Sequence, residues 1–162
     1  MILAGVLDRF PSLKIMLAHS GGTLPALSSR LASCVDHDPV VASRLKHNAR
    51  YYLGQLYFDA VAYGSEELGF VSSAIGRSAA YSDPFASASA VASLESEGRL
   101  RLSGSGRMLF GTDHPFFPPL KGSDKWKSVT ENLAAINGVA GWGDKERDAV
   151  RGGNALRIFN LA

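Results

Sequence analysis

The chain has 162 residues, of which 46% are hydrophobic and 20% are charged, so it is long enough to fold as one globular domain with a sizeable core. Its formal net charge of +2 comes from dispersed Lys and Arg residues without a basic run, which argues against a nucleic-acid partner. Cys34 is the only cysteine, which excludes an internal disulfide and a zinc site built from cysteines.

The first predicted strand runs from Leu13 to Leu17 and is followed at once by an ionisable side chain, His19. Two glycines in Ser20-Gly21-Gly22-Thr23 let the backbone turn sharply or approach a ligand closely. After this turn a helix is predicted, with Thr23 as its N-cap and an apolar side formed by Leu24, Leu27, Leu31 and Cys34. Cys34 is therefore expected to be buried, and Arg30 lies on the opposite side, where a solvated arginine is the ordinary explanation.

The second predicted strand runs from Gln55 to Ala60 and carries Asp59 near its end. Asp59 could cap a turn or helix there. Ser65 then opens a helix whose Leu68, Val71 and Ile75 are expected to face the sheet. Residues 77–106 are rich in serine and alanine and have only a weak apolar rhythm, which predicts a low-complexity insertion that is mobile and lies outside the packed fold.

The third strand is predicted at Met108, Leu109 and Phe110, and Asp113 follows it after Gly111 and Thr112. Such a carboxylate can serve catalysis or metal binding, although a capped loop would use the same residue to bind backbone amides. A helix is then predicted on the spacing of Trp126, Val129, Leu133 and Ile136, with Ser123-Asp124 as its cap. Trp142 is expected to pack inside, Asp144 to open another helix, and Asn154 to cap the last one, docked through Leu156 and Phe159.

Four stretches together resemble a known family. Asp8-Arg9-Phe10-Pro11 leads into Ala18-His19-Ser20-Gly21-Gly22-Thr23-Leu24-Pro25, and Gly111-Thr112-Asp113-His114-Pro115-Phe116 and Gly152-Gly153-Asn154-Ala155-Leu156-Arg157 follow in order. The combination resembles the amidohydrolase-related metal-dependent family, and within it the branch of aminocarboxymuconate-semialdehyde decarboxylase and related non-oxidative decarboxylases. His114 departs from the pattern, because tyrosine is more usual there.

The resemblance implies an α/β fold, namely the carboxy-terminal portion of a (β/α)8 TIM-type barrel over residues 1–162. It implies that Asp113 binds a divalent metal, zinc or manganese, that His19 is the general acid/base, and that Arg30 holds a substrate carboxylate across a homodimer interface. The implied activity is decarboxylation or hydrolysis of a small carboxylated substrate that is cyclic or muconate-like. No membrane partner and a cytoplasmic location are expected, because the sequence shows no long apolar run or export leader.

The family's other metal-binding histidines belong to strands that would precede Met1, so the resemblance implies an N-terminally truncated chain that is inactive by itself. Two alternatives remain open. The chain could be a non-catalytic fragment or interaction piece, since an open piece of a barrel exposes strand edges. It could also be a nucleotide-binding α/β module, with Ser20-Gly21-Gly22-Thr23 as a phosphate-binding turn.

Overall fold

The computed structural model describes residues 1–98, 103–122 and 125–161. Three short strands form one sheet in it: β1 (Met16–Leu17), β2 (Tyr57–Asp59) and β3 (Met108–Leu109). They lie side by side in chain order, and both pairs are parallel, with Leu17 opposite Phe58 and Asp59 opposite Leu109. This order is the one that consecutive βα units of a parallel barrel would produce.

Helices connect and flank these strands. The α-helices are α1 (Val6–Arg9), α2 (Leu24–Asp36), α3 (Pro39–Ala42), α4 (Ser65–Arg77), α5 (Ala88–Ser96), α6 (Lys127–Gly138), α7 (Asp144–Asp148) and α8 (Asn154–Phe159). Short 3₁₀ helices lie at Ile2–Ala4, His19–Gly21, Ala49–Gln55, Ser78–Tyr81 and Ser105–Arg107, and a π-helical turn at Ala149–Gly153. Among the described residues, no helix is both long enough and apolar enough to cross a membrane.

The core is built around the middle strand. Phe58 on β2 and Met108 on β3 are fully buried, as a strand covered on both faces requires. Helix α4 covers them with Leu68, Val71 and Ile75, all of which are buried, so the predicted face of this helix is confirmed. Trp142 is also buried in this cluster, as expected.

Helix α2 turns only part of its predicted face inward. Leu24 and Leu31 pack against the core cluster, as expected, but Leu27 is 50% exposed and Cys34 is exposed. Ala32 and Val35 are buried instead, so the buried face is shifted around the helix axis by up to about one residue, or at most roughly 100°. The cause lies in packing, since Ala32 is small and Ala49 of the following helical turn sits against it.

Helix α8 also differs from the prediction. Leu156 and Phe159 are 46% and 57% exposed, while Ile158 packs with Tyr57 and Leu109. Asn154 explains this rotation. It does not cap the helix, because its Nδ2 donates to the carbonyl oxygens of Ser105 and Met108 at 2.7 Å each, which fixes Asn154 and the residue one turn later toward β3.

Parts of residues 77–106 are packed on the domain. Tyr81 is buried, and the Gly104 amide donates to the carbonyl oxygen of Ser72 on α4 at 3.0 Å. Residues 88–96 form α5, whose Val91 is buried. That residues 77–106 are an insertion stays a prediction. A deletion that tests it would have to keep the packed residues near both ends of this segment. The Ser123-Asp124 cap predicted for α6 lies outside the described residues.

Candidate active site

Three ionisable side chains follow the carboxyl ends of the three strands. His19 comes two residues after β1, Asp59 is the last residue of β2, and Asp113 comes four residues after β3. Because the strands are parallel and adjacent, these residues gather at one edge of the sheet, which is where α/β proteins place their functional groups.

Asp59 is the residue that shapes this edge. Its carboxylate accepts hydrogen bonds from the backbone amides of His19 at 3.0 Å, Ser20 at 2.8 Å and Val61 at 3.2 Å. The Ser20 hydroxyl adds a bond to the Asp59 carbonyl oxygen at 3.1 Å. The turn-cap interpretation of Asp59 is thus confirmed, and the turn it caps is the one that carries His19.

Two glycines allow the turns to come this close to the sheet. A Cβ atom on Gly21 would lie 2.7 Å from the ring of Phe58, and φ at Gly21 is +80°. A Cβ atom on Gly111 would lie 2.6 Å from a methyl carbon of Val61. Neither position can hold a larger residue without displacing β2 or the loop after it.

His19 and Asp113 are brought into direct contact. His19 Nε2 lies 3.3 Å from Asp113 Oδ1, a pair separated by 94 residues in the chain. The imidazole is 66% exposed and the carboxylate only 13% exposed. The carboxylate is therefore held within the protein, while the imidazole stays accessible to a ligand or to water.

Tyr63 was not singled out from the sequence, although it holds the other oxygen of Asp113. Its hydroxyl donates to Asp113 Oδ2 at 2.7 Å. The fully buried Asn132 on α6 positions Tyr63, because its Oδ1 accepts from the backbone amides of Ala62 at 3.1 Å and Tyr63 at 3.0 Å. A tyrosine in a loop and an asparagine in a helix carry no pattern that would have revealed this contact.

Backbone conformation marks the same residues. His19, Ser20, Tyr63 and Asp113 all have φ between +52° and +59°, in the left-handed region that residues with a Cβ seldom adopt. Each such residue costs of order 1–3 kcal/mol, and these residues cluster at functional sites, where surrounding contacts hold them. Asp59 and Asn132 supply those contacts here.

Replacing Tyr63 by phenylalanine tests how firmly Asp113 is held. Burial, and after it the hydrogen bond to Asp113, raises the pKa of Tyr63 from 10.0 to about 12. The folded state therefore favours the protonated phenol, so its stabilisation is complete below pH 10 and is lost as the pH rises through about 12. We expect the variant to be about 1 kcal/mol less stable at pH 8, and this difference to shrink between pH 10 and 12.

Urea unfolding of the metal-free chain at a series of pH values measures this difference. Tyr57→Phe serves as the control, because no hydrogen bond of the Tyr57 hydroxyl is found among the described residues. A difference between wild type and Tyr63→Phe that stays constant up to pH 12 would contradict the assigned hydrogen bond.

The other predicted site residue, Arg30, stands apart. It lies on the exposed side of α2, as predicted, and no ion pair within the described ranges joins it to His19 or Asp113. His114 is also exposed, and its ring packs on Trp126 with 4.7 Å between the ring centroids. Arg30 could therefore contact a ligand of such a site only if it came from another copy of the chain, for example the second subunit of a dimer.

The donor atoms at this edge suit a divalent metal ion only in part. A carboxylate oxygen of Asp113 and an imidazole nitrogen of His19 are both ordinary ligands of such ions. Over residues 1–98, 103–122 and 125–161, however, no group of three His, Cys, Asp or Glu side chains could hold a metal together. These residues can supply one or two ligands of a site that needs others.

The turn at Ser20-Gly21-Gly22 is not available to a phosphate group. Asp59 accepts from the amides of His19 and Ser20, and the amides of Gly21 and Gly22 donate to the carbonyl oxygens of Ala18 and His19. A phosphate would have to displace these bonds and approach the Asp59 carboxylate. The nucleotide-binding interpretation is therefore not supported.

Nearly the whole chain is similar to known proteins. A curated relative from Dictyostelium discoideum, 2-amino-3-carboxymuconate-6-semialdehyde decarboxylase, is 25% identical over 162 residues, which are 99% of this chain and 35% of the relative. The crystal structure of IDCase from Metarhizium anisopliae in apo form matches with a TM-score of 0.71 and 34% identity, covering 99% of this chain and 37% of that one.

A third match is more distant and supports the fold alone. The structure of dihydroxybenzoic acid decarboxylase from Polaromonas sp. JS666, with bound manganese and the inhibitor 2-nitroresorcinol, has a TM-score of 0.62 at 19% identity and covers 99% of this chain and 37% of that one. The chain thus spans only about a third of the length of the relatives that it matches.

These matches confirm the predicted fold class, a portion of a (β/α)8 barrel. The family model described as amidohydrolase matches residues 1–161, which is nearly the whole chain. The chain therefore belongs to the amidohydrolase family.

Proposed function

We propose that this chain forms part of the active site of a metal-dependent, non-oxidative decarboxylase that acts on a small carboxylated substrate, with hydrolysis as the alternative reaction. The observation that carries the proposal is the approach of His19 Nε2 to within 3.3 Å of Asp113 Oδ1. The similarity to a curated decarboxylase from Dictyostelium discoideum supports the choice of reaction.

Asp113 is the proposed metal ligand, for zinc or manganese. Its low exposure and its hydrogen bond from Tyr63 hold one oxygen in place, and manganese is present in the Polaromonas structure. When bound, a divalent cation polarises a substrate oxygen. The remaining ligands would come from parts of the barrel that the described residues do not include.

His19 is the proposed general acid/base. Its imidazole is exposed, imidazole is the side chain that most often transfers protons in catalysis, and Asp59 fixes the turn that carries it. In decarboxylation, the bond to the carboxylate carbon breaks, carbon dioxide leaves, and the electron pair that stays on the substrate carbon takes a proton from Nε2. In the hydrolytic alternative, Nε2 instead accepts a proton from the attacking water.

The proposed substrate is small, carboxylated and cyclic or muconate-like, and Arg30 would bind its carboxylate from the second subunit of a homodimer. A guanidinium suits this role because its planar group can donate two parallel hydrogen bonds to the two oxygens of a carboxylate. The exposed position of Arg30 is compatible with reaching a neighbouring subunit. We extend the proposal to a cytoplasmic location.

The described residues alone favour an inactive polypeptide, because no third metal ligand joins His19 and Asp113. The non-catalytic alternative therefore applies to the chain tested by itself. A test of activity needs the rest of a barrel. A chimera can supply it, in which this chain replaces the matching 37% of Metarhizium IDCase.

His19→Gln tests the reaction in this chimera. We expect it to keep its bound metal and to lose turnover by roughly 10²- to 10⁴-fold, because glutamine preserves polarity but cannot transfer the proton. Carbon dioxide release from dihydroxybenzoates and from 2-amino-3-carboxymuconate-6-semialdehyde measures turnover, and elemental analysis measures metal.

His37→Gln is the matched control. His37 is exposed at the end of α2, and in the described part of the chain its ring nitrogens bond only to the Ser33 carbonyl oxygen, so turnover should not change. The proposal fails if His19→Gln retains wild-type turnover, or if the chimera binds metal and releases carbon dioxide from none of these substrates.

Mixing subunits tests the role of Arg30. Arg30→Ala should mainly raise KM, so both variants should be nearly inactive at substrate concentrations well below KM. Under that condition a 1:1 mixture of Arg30→Ala and His19→Gln chimeras should regain about a quarter of wild-type activity, since half the dimers are mixed and each has one intact site. Turnover before and after dissociation and reassociation measures this recovery. A mixture that remains inactive, although sedimentation shows mixed dimers, would rule out a site shared across subunits.

A further inference from the structure

Arg50 is a cation that pairs with no anion among the residues the structure describes. It belongs to the helical turn Ala49–Gln55 and is partly buried. Its Nη1 donates to the Tyr81 hydroxyl at 2.7 Å, and the guanidinium carbon lies 4.9 Å from the centre of the Tyr81 ring. No carboxylate of the described residues pairs with it, although a buried cation is costly unless an anion compensates for it.

One donor of this guanidinium is buried without an acceptor. Arg50 Nε is fully inaccessible to solvent and makes no hydrogen bond. Arginine has five N–H donors and no acceptor, so only an additional acceptor can satisfy it. Buried polar groups are hydrogen-bonded in the great majority of cases, so this unsatisfied donor calls for an explanation, and at Arg50 a cavity lies beside it.

A cavity of about 140 Å³ lies next to Arg50, between α2 and α4. A second guanidinium, Arg77 at the end of α4, lines it, together with Tyr81 and two serines of α2, Ser28 and Ser29. The volume falls below the roughly 300–1,000 Å³ of sites for larger organic ligands. Such a space suits one small charged group and not a nucleotide.

The charge around the cavity is positive, and one carboxylate neutralises it in part. Arg77 Nη1 lies 3.5 Å from Glu95 Oε1, at the outer limit for a hydrogen bond, and both side chains are about one-third exposed. A pair this long and this exposed is weak. It leaves Arg77 able to turn toward an anion in the cavity, where its charge would add to that of Arg50.

We propose that the cavity between α2 and α4 is a binding site for a small oxyanion, either a phosphate or a carboxylate group, held by Arg50 and Arg77. Both anions present the oxygen acceptors that a guanidinium fork binds. His19, Arg30 and Asp113 do not line this cavity, so the site does not depend on the proposed decarboxylase function.

Calorimetric titration of the 162-residue chain with sodium phosphate and with sodium acetate, against sodium chloride at equal ionic strength, tests this site. We expect saturable binding of at least one oxyanion. The anion that binds with the higher affinity shows whether the site takes a phosphate or a carboxylate group. Arg50→Gln and Arg77→Gln should each weaken binding by about tenfold or more. Glu95→Gln should strengthen it by roughly two- to threefold, because a competing carboxylate is removed.

Arg147→Gln is the matched control. Arg147 also has a buried Nε without a partner, but it lies by the exposed carboxylate of Asp144 at 3.6 Å and away from this cavity, so binding should not change. Circular dichroism checks that each variant is folded. If Arg50→Gln unfolds, the changes in binding affinity of Arg77→Gln and Glu95→Gln test the site. The site is refuted if neither oxyanion binds saturably, or if Arg147→Gln weakens binding as much as Arg77→Gln.

Discussion

Replacing Asp113 by alanine in the chimera is expected to remove the bound metal and with it all activity above background. Among the described residues, only Asp113 brings a carboxylate to the imidazole of His19, and its second oxygen is already fixed by Tyr63. A metal site that loses an anionic ligand loses both affinity and the open position at which substrate is polarised. Metal content and carbon dioxide release should therefore fall together, whereas His19→Gln lowers only the second.

The effect on folding should be much smaller. Because the site is open at His19, we expect Asp113→Ala to cost only about 1 kcal/mol of stability through the lost bond from Tyr63. Asp113→Asn keeps the shape and removes the charge, so it should also lose metal. Asp144→Asn is the control, since its carboxylate is 96% exposed. Retention of full metal by Asp113→Ala would show that the metal lies elsewhere in the barrel.

The largest loss of stability is expected from Asp59→Ala. Three backbone amides would lose their acceptor, and the left-handed conformations of His19 and Ser20 would lose the contact that holds them. We expect a decrease of roughly 2–4 kcal/mol in the free energy of unfolding of the chain. In the chimera, turnover should fall although Asp59 touches neither metal nor substrate, because His19 is no longer aimed at the site.

Asp38→Ala separates this effect from the general cost of losing a cap. The Asp38 carboxylate accepts from the amides of Val40 and Val41 at the start of α3, far along the chain from the strand ends. It should cost about 1 kcal/mol and leave turnover unchanged. If Asp59→Ala were no more damaging than Asp38→Ala in both stability and turnover, the proposed anchoring of His19 would be wrong.

The positions of His19 and Asp113 at one edge of the sheet could be predicted from the sequence because the signal is local. Each follows a short apolar run, and parallel strands bring their carboxyl ends together whatever the rest of the chain does. The inward face of α4 could be predicted for the same reason, since Leu68, Val71 and Ile75 repeat at helical spacing on one side only.

Faces that depend on a neighbour could not be predicted in this way. On α2, Leu27 and Cys34 belong to the apolar side but are exposed, because Ala32 on the adjoining side packs against Ala49. On α8, the two hydrogen bonds from Asn154 to the residues before and within β3 set the rotation that exposes Phe159. A hydrophobic pattern indicates which faces of a helix are apolar. When two faces are similarly apolar, packing and polar contacts with neighbouring elements determine which one is buried.

The contacts that complete the site were decided only by the tertiary structure. Asp59 bonds to amides about 40 residues away, Tyr63 to a carboxylate 50 residues away, and Asn132 to amides about 70 residues away. The sequence established that a histidine and an aspartate follow parallel strands. Which side chains orient them depends on distances across the folded chain, because a hydrogen bond requires two groups to meet within about 3 Å and no local pattern encodes that meeting.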